Sequence, residues 1–312
     1  MVRLKVWLRA IRAPFFTATI VPVILGASVA WHKTGVFNWG LFLLTLIGIL
    51  FIHTGTNLAN DYYDHTSRDD ELNPTPTPFS GGSRMIQDKL ISPKAILYVA
   101  LASFALGCMI GLYLNYILVG NLLLALGIIG VFLGFFYTAD PLRIGYHSFG
   151  ELAVGFGFGP LVVLGSYYVQ AESLSWVAFF VSIPVGIMIM LVLYINEFPD
   201  YEADRKVNKK TLVVTLGKGR AIKLYFSLLI LCYLFIVAAV IIGLFPLFSL
   251  IVLLTLPLSF KAVRVARENY ERVYELLPAN AATIGLHLSI GLLLSLGFIL
   301  DKIFWLFLKM SG

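Results

Sequence analysis

The amino-acid sequence predicts an all-α, polytopic membrane protein, and three observations lead to that prediction. Only 13% of the 312 residues are charged and 59% are hydrophobic, whereas a soluble domain carries about 25% charged residues. Nine apolar stretches are long enough to cross a bilayer as helices, since about 18 residues suffice. The basic residues are concentrated in alternate connections between these stretches, as expected for membrane-spanning helices.

The nine predicted spans run through the whole chain, and we expect residues 1–312 to form a single transmembrane domain. Strands of a membrane barrel would be shorter and would alternate strictly, so a barrel is not predicted. The first span is long for the apolar core of a signal peptide and eight spans follow it, so we expect it to be retained. The predicted spans are residues 14–32, 38–60, 95–114, 117–138, 149–170, 174–197, 220–243, 245–262 and 279–300.

The Lys and Arg residues predict the orientation in the membrane. With the N-terminus in the cytoplasm, 20 of the 23 basic residues lie on the cytoplasmic side: four before span one, four in loop 2–3, one in loop 4–5, seven in loop 6–7 and four in loop 8–9. Lys33, Lys302 and Lys309 lie outside. The positive-inside rule therefore predicts a cytoplasmic N-terminus and an external C-terminus. Topology explains most of the net charge of +6, so no nucleic-acid partner is expected.

Two acidic stretches stand at the predicted cytoplasmic ends of even-numbered spans. The first, NLANDYYDHTSRDDE at 57–71, ends span two, and the second, NEFPDYEADRKVNKK at 196–210, ends span six. Charge runs in cytoplasmic loops are usually solvated. These two begin at the end of a span, carry apolar residues on the opposite helix face and repeat one spacing, which favours a functional site.

The shared spacing places oxygen ligands in a row. Asn60 and Asp64 are four residues apart, and so are Asn196, Asp200 and Asp204. On a helix, residues four apart lie on one face, one turn apart. Carboxylates at this density repel each other and require a cation. Because Mg²⁺ prefers one or two carboxylates together with phosphate oxygens and water, two such rows describe a Mg²⁺–diphosphate site.

These residues resemble the UbiA superfamily of intramembrane prenyltransferases, whose two N-x₃-D-x₃-D motifs follow the second and sixth of nine helices. Arg68 stands where the third acid of the first motif is expected, and Asp69 and Asp70 follow it. The MenA branch has a similar variant, with its last Asp ten residues after the Asn. Further segments resemble that branch, namely SGGSRMIQDKLISP (80–93), FFYTADPLRIGYHSFGELAVGFGFGPLVVLGSYYVQ (135–170), DYEADRKVNKKTLVVTLG (200–217) and LLPANAATIGLHLSIGLLLSLG (276–297).

The resemblance implies nine helices around a central cavity and the transfer of a polyprenyl group from its diphosphate to an aromatic acceptor. In the MenA branch the acceptor is 1,4-dihydroxy-2-naphthoate, in menaquinone biosynthesis. Asp64 and Asp200 are then the central catalytic acids, and Tyr137 lies near the bond that breaks. The implied Mg²⁺ ligands are Asp61, Asp64, Asp70, Asp200 and Asp204, and the candidates for the diphosphate are Asn60, Asn196, Arg84, Lys89, Lys209 and Lys210.

The residues leave the acceptor and part of the function open. A carboxylate-bearing acceptor would need a cation near the cytoplasmic mouth, for which Arg143 and His147 are candidates. Other members of the superfamily use 4-hydroxybenzoate, a chlorophyllide, haem or a glyceryl lipid. A cation-coupled transporter is an alternative from another class, although its ligands would lie near the midplane of the membrane. The oligomeric state is not predicted.

Overall fold

The computed structural model describes the backbone of residues 2–311 and the side chains of residues 4–310, and within that range the chain forms helices and no strand. The helices, numbered in chain order, are α1 Val2–Ala10, α2 Thr17–Thr34, α3 Trp39–Ser67, α4 Asp69–Leu72, α5 Pro93–Ile117, α6 Leu122–Phe135, α7 Gly150–Phe156, α8 Val162–Ala171, α9 Trp176–Lys206, α10 Leu212–Leu216, α11 Lys218–Ile241, α12 Leu256–Asn269 and α13 Val273–Ser311. Single-turn 3₁₀ segments at Ala13–Phe16 and Ile144–Tyr146, a longer one at Leu247–Thr255, and a π-helical turn at Gly157–Leu161 complete the set.

The predicted membrane architecture is confirmed, with one span shorter than expected. Eight helical segments of the described chain are long and apolar enough to cross a membrane. The predicted fourth span, 117–138, forms only the 14-residue helix α6. At 1.5 Å per residue α6 rises about 21 Å, less than the roughly 30 Å hydrocarbon core. Gly120, with φ of 83°, interrupts the helical backbone before α6, so part of this apolar stretch is a turn.

Helices α3 and α9 extend further than their apolar stretches do. Span two was predicted to end at residue 60 and span six at residue 197, but α3 continues to Ser67 and α9 to Lys206. The polar ends of both stretches contain no glycine, although Asp, His, Thr and Ser are only moderate helix formers and α9 contains Pro199. Helix α3 stops only at Arg68, which adopts a left-handed backbone with φ of 66°. Both acidic motifs therefore stay helical, and their four-residue spacing does place the side chains on one face.

Helix α9 forms the centre of the packing. It contacts α2, α7, α11 and α13, and its side chains Met188, Tyr194 and Phe198 are fully buried. A second apolar cluster joins α1, α3 and α5 to loop 2–3, where Met85 and Ile86 are buried. Close helix packing is possible where small residues meet, as at Gly159, whose added Cβ would lie 2.7 Å from the Cα of Gly186.

A cavity of about 730 Å³ lies inside the helix bundle. Its wall is formed by α3, α5, α6, the α7–α8 segment and α9. Most of the wall is apolar and runs along α3 from Thr45 towards Asp64. The polar end of the cavity coincides with the ends of α3 and α9, so the fold brings both acidic motifs to one mouth.

Candidate active site

The polar end of the cavity is lined by carboxylates from both motifs. Each of them except Asp200 is almost completely buried, with exposed fractions of 5% or less. Burying unpaired charges is costly, so each carboxylate needs hydrogen bonds or a cation. These carboxylates are Asp64, Asp69, Asp70, Asp200 and Asp204. A sixth carboxylate on the wall, Glu197, is 7% exposed.

Asp64 is held by hydrogen bonds from two directions. The amide of Asn60, one turn earlier on α3, donates to Asp64 Oδ2 at 2.9 Å. The hydroxyl of Tyr146, in the loop before α7, donates to Asp64 Oδ1 at 2.9 Å. The Asn-x₃-Asp spacing thus lets Asn60 orient the Asp64 carboxylate, and Tyr146, from the loop before α7, fixes the same carboxylate from the other side.

Asp200 is connected to the segment that follows the first motif. The Asn73 amide donates to Asp200 Oδ1 at 2.7 Å, and the Gly81 backbone N–H lies 3.2 Å from Asp200 Oδ2. Residues 73 and 81 belong to loop 2–3, whereas Asp200 is on α9. The two motifs therefore face each other across the mouth of the cavity, as the sequence predicted.

Lys209 bridges the two motifs. Its Nζ lies 2.7 Å from Asp69 Oδ2 and 3.4 Å from Asp204 Oδ1, and its side chain is only 16% exposed. Burial alone would lower the pKa of Lys209, but the charges of Asp204, Asp64 and Asp69 outweigh burial and raise the pKa well above its ordinary value. The ammonium group consequently stays charged and compensates the acids from both sides.

The remaining carboxylate oxygens have spare capacity for a cation. Neither oxygen of Asp204 accepts a hydrogen bond within the described chain. No three His, Cys, Asp or Glu side chains of residues 4–310 are close enough to hold a metal ion by themselves. Such a donor set of hard, sparse oxygens fits Mg²⁺, which takes few carboxylates and completes its shell with phosphate oxygens and water.

The surroundings of Asp70 disfavour its charged form. Burial raises the pKa of Asp70 well above its ordinary value, and the charges of Asp64 and Asp61 raise it further. Its carboxylate lies against Gly82, where an added Cβ would come 2.2 Å from Asp70 Oδ2. Gly82 also has φ of 71°, a conformation that costs most other residues roughly 1–2 kcal/mol. Only glycine fits between Asp70 and this turn.

We expect Gly82→Ala to lower the rate of the prenyl transfer that the resemblance implies roughly tenfold, because an added Cβ would meet Asp70 Oδ2 at 2.2 Å and displace that carboxylate. Gly219→Ala is the matched control, since an added Cβ there meets nothing within 4 Å. The measurement is the initial rate of the purified variants under identical conditions. Equal rates for both variants would show that the position of Asp70 does not matter.

Arg12 occupies a position that sequence reasoning assigned to topology alone. Its Nη2 donates to Asp61 Oδ1 at 2.5 Å and to Asn60 Oδ1 at 3.0 Å. Asp61 does not line the cavity, whereas Arg12 does. Asp61 is therefore placed as the partner of Arg12, and its other oxygen, Oδ2, is buried without a hydrogen-bond partner in the described chain.

The other predicted site residues divide between the cavity wall and the surface. Tyr137, Asn60, Asn196 and Lys209 lie on the wall. Arg84 does not, and its Nη1 donates to the backbone oxygen of Asp70 at 2.5 Å. The remaining four are off the wall: Lys89, Lys210 and His147 are exposed, and Arg143 forms an ion pair with Asp140 at 2.8 Å.

Several residues at the mouth were not predicted from the sequence. Asp69 and Asn73 follow the first motif, but they depart from its spacing. No motif or spacing in the sequence distinguishes Tyr146 from the rest of the 15 tyrosines. Glu197, on the cavity wall beside Asn196, was quoted within the second acidic stretch and not singled out. For Asp69 the run of adjacent acids was a usable signal, whereas Tyr146 required the fold.

Residues 19–301 match the profile of the UbiA prenyltransferase family. The chain belongs to this family. It is 32% identical over 280 residues to the 1,4-dihydroxy-2-naphthoate octaprenyltransferase of Bacillus subtilis (strain 168), a match that covers 88% of each chain. It is also 34% identical over 226 residues to the Mycobacterium tuberculosis protein of the same name, covering 72% of this chain and 74% of the relative. The predicted resemblance to UbiA prenyltransferases and their MenA branch is confirmed.

Solved structures support the fold. A UbiA homologue from Aeropyrum pernix K1 superposes with a TM-score of 0.66 at 15% identity, covering 93% of this chain and 98% of that one. A homologue from Archaeoglobus fulgidus bound to GPP and Mg²⁺ gives a TM-score of 0.63 at 16% identity, with coverages of 93% and 99%. This UbiA-family protein is thus an integral membrane enzyme, a prenyltransferase.

Proposed function

We propose that this UbiA-family protein catalyses Mg²⁺-dependent transfer of a polyprenyl group from its diphosphate to 1,4-dihydroxy-2-naphthoate, in menaquinone biosynthesis. The observation that carries the proposal is the pair of facing carboxylate rows at the end of a long apolar cavity. The names of the relatives from B. subtilis and M. tuberculosis favour the naphthoate acceptor. The A. fulgidus homologue bound to GPP and Mg²⁺ favours the donor and the metal.

The chemistry explains the polar end of the cavity. The allylic C–O bond breaks while the diphosphate takes up negative charge. Mg²⁺ bound at Asp64, Asp70, Asp200 and Asp204 would supply a Lewis acid for that charge. Asn60 and Tyr146 hold the Asp64 carboxylate in place. Lys209, fixed between Asp69 and Asp204, is positioned to contribute a further positive charge to the leaving diphosphate.

The apolar part of the cavity serves the donor chain. Its wall between Gly48 and Ile52 of α3 and along α6 carries no charged side chain, so a hydrocarbon tail can lie there out of water. Tyr137, also on the wall, presents an aromatic ring near the mouth. An aromatic face stabilises a neighbouring cation by about 0.5–2 kcal/mol, which suits an allylic carbocation.

The orientation in the membrane is part of the proposal. The distribution of the basic residues favours a mouth, with loops 2–3 and 6–7, on the cytoplasmic side. Both substrates would then enter from that side, the diphosphate through the polar mouth and its tail from the bilayer.

We expect prenyl transfer to require a divalent cation. Purified protein in detergent or liposomes is incubated with a radiolabelled polyprenyl diphosphate and 1,4-dihydroxy-2-naphthoate, after chelation and after restoring Mg²⁺. Transfer should fall to background with the chelator and return with Mg²⁺, since Lys209 and Arg12 together cannot balance the six carboxylates on the cavity wall. Full turnover after exhaustive chelation would contradict the metal-dependent mechanism.

The same assay tests the acceptor. A panel containing 4-hydroxybenzoate, a chlorophyllide, haem and a glyceryl lipid phosphate is run beside the naphthoate. Transfer to the naphthoate at a rate at least tenfold above the others supports the proposed acceptor. Preference for another member of the panel would leave the prenyltransferase activity intact and replace the acceptor.

A further inference from the structure

His53 lies on the cavity wall far from the carboxylates. It precedes Asp64 by eleven residues of α3, about three turns, so both side chains lie on one face about 16 Å apart along the axis. Its side chain is 6% exposed, and it lines the cavity. Neither acidic motif contains it, and the mechanism above gives it no role.

The orientation of the His53 ring is fixed by α2. Its Nδ1 lies 2.8 Å from the hydroxyl oxygen of Thr19, which is fully buried. The Thr19 hydroxyl makes no other hydrogen bond among residues 4–310, so its proton is satisfied only by donation to Nδ1. The neutral ring then carries its proton on Nε2. Nε2 has no hydrogen-bond partner among these residues and is the free donor of the pair.

Aromatic rings enclose this donor on two sides. The ring of Phe16 lies 5.4 Å from that of His53, and the ring of Phe158 lies 4.9 Å away. Phe158 belongs to the π-helical turn Gly157–Leu161. Such turns insert an extra residue into a helix and occur frequently at functional sites. In this protein the π-helical turn contains Phe158, whose ring lies beside the His53 ring.

The part of the cavity between His53 and the mouth, called the branch below, has mostly apolar walls. Phe15, Ala18, Val154 and Ile189 pack together with Phe158 in one apolar cluster, and all five lie on the cavity wall. At the mouth end stands Arg12, whose buried Nε has no partner in the described chain. The branch thus combines apolar walls, one neutral donor and one guanidinium, the usual composition of a small-molecule site.

We propose that this branch binds the aromatic acceptor and that His53 Nε2 donates a hydrogen bond to a ring oxygen of that acceptor, so that His53 determines specificity for a hydroxylated ring. The inference rests on the proposed function, because it presumes an aromatic acceptor. Arg12 lies where it can face the carboxylate of the same ring. The donor tail then lies along α5 and α6, which also line the cavity.

The first test separates acceptor binding from donor binding. His53→Leu should raise the KM for 1,4-dihydroxy-2-naphthoate roughly 10- to 100-fold, the effect of losing one hydrogen bond in a site built for it. The KM for the polyprenyl diphosphate should change less than twofold. His287→Leu is the matched control, because His287 is also a buried histidine of a membrane helix but lies off the cavity wall.

A second, milder variant distinguishes weaker acceptor binding from a folding defect. Thr19→Val keeps the shape of the side chain and frees the His53 ring, so we expect a several-fold rise in the acceptor KM with normal extraction and thermal stability. A change in stability without any change in the acceptor KM, in both the Thr19 and His53 variants, would show that the pair only joins α2 to α3.

Acceptor analogues identify the contact. 1-Hydroxy-2-naphthoate and 4-hydroxy-2-naphthoate each retain one of the two hydroxyl groups, and both are measured as competitive inhibitors. His53→Leu should weaken one of them roughly as much as the full acceptor and leave the other within twofold. Equal weakening of both, or of neither, would overturn the assignment. Absence of any transfer to the naphthoate by the parent protein would instead refute the proposed acceptor, a result separate from these.

Discussion

Asp64→Asn and Asp200→Asn should each reduce single-turnover prenyl transfer roughly 10²- to 10³-fold at saturating Mg²⁺. Both carboxylates lie at the mouth of the cavity, one on α3 and one on α9. Each substitution keeps the shape of the side chain and removes one negative charge that would hold a cation against the leaving diphosphate. Losing one preorganised group of this kind costs about 2.7–4 kcal/mol of transition-state stabilisation.

These two variants should otherwise behave like the parent protein. After the substitution at position 64 the amide oxygen can still accept from Asn60 while the amide N–H donates to the Tyr146 hydroxyl, and the amide oxygen at position 200 can still accept from Asn73. We therefore expect normal insertion, extraction and thermal unfolding, recorded beside the kinetics. Near-parent rates in either variant would mean that its motif is only a solvated helix end.

The second large effect concerns Lys209→Met. The ammonium group of Lys209 lies between Asp69 and Asp204, and removing one partner of a buried ion pair costs about 3–5 kcal/mol. The variant should unfold several degrees below the parent in the absence of divalent ions. Its rate of prenyl transfer should fall roughly 10²-fold, because the unpaired acids repel the diphosphate.

Added Mg²⁺ should recover more stability in Lys209→Met than in the parent, since a ligand that binds only the folded state stabilises it. Lys206→Met is the control, because Lys206 is an exposed lysine at the end of α9, three residues before Lys209. Thermal unfolding of all three proteins with and without Mg²⁺ decides the matter. If the Lys209 and Lys206 variants unfold at the same temperature, the buried bridge does not stabilise the mouth.

Composition and periodicity were sufficient to predict an all-α membrane protein built from long apolar helices. Helices α3 and α9 could be located from their apolar runs, and the Asn-x₃-Asp spacing correctly placed Asn60 and Asp64 on one helical face. Hydropathy alone could not locate the helix ends, because polar residues such as Tyr63 and Asp64 continue a helix as readily as apolar ones. The short α6 was missed for a related reason, since Leu118 and Val119 are apolar although they lie in a turn.

The partners of the site residues were beyond the reach of the sequence. Arg12 pairs with Asp61 over 49 positions, and Asn73 reaches Asp200 over 127. Such contacts depend on how α2, α3 and α9 pack, and no local spacing encodes them. The basic residues were the least predictable, because a lysine that marks topology and a lysine that balances buried acids look alike until burial separates Lys209 from Lys210.

The central claim is that both motifs act on one diphosphate as a unit, and the double variant Asp64→Asn/Asp200→Asn tests it most directly. Groups that act as a unit lose their effects non-additively. We expect single-turnover transfer by the double variant within about tenfold of the slower single variant. A loss equal to the product of the two single losses, roughly 10⁴- to 10⁶-fold, would show two independent sites and contradict the account.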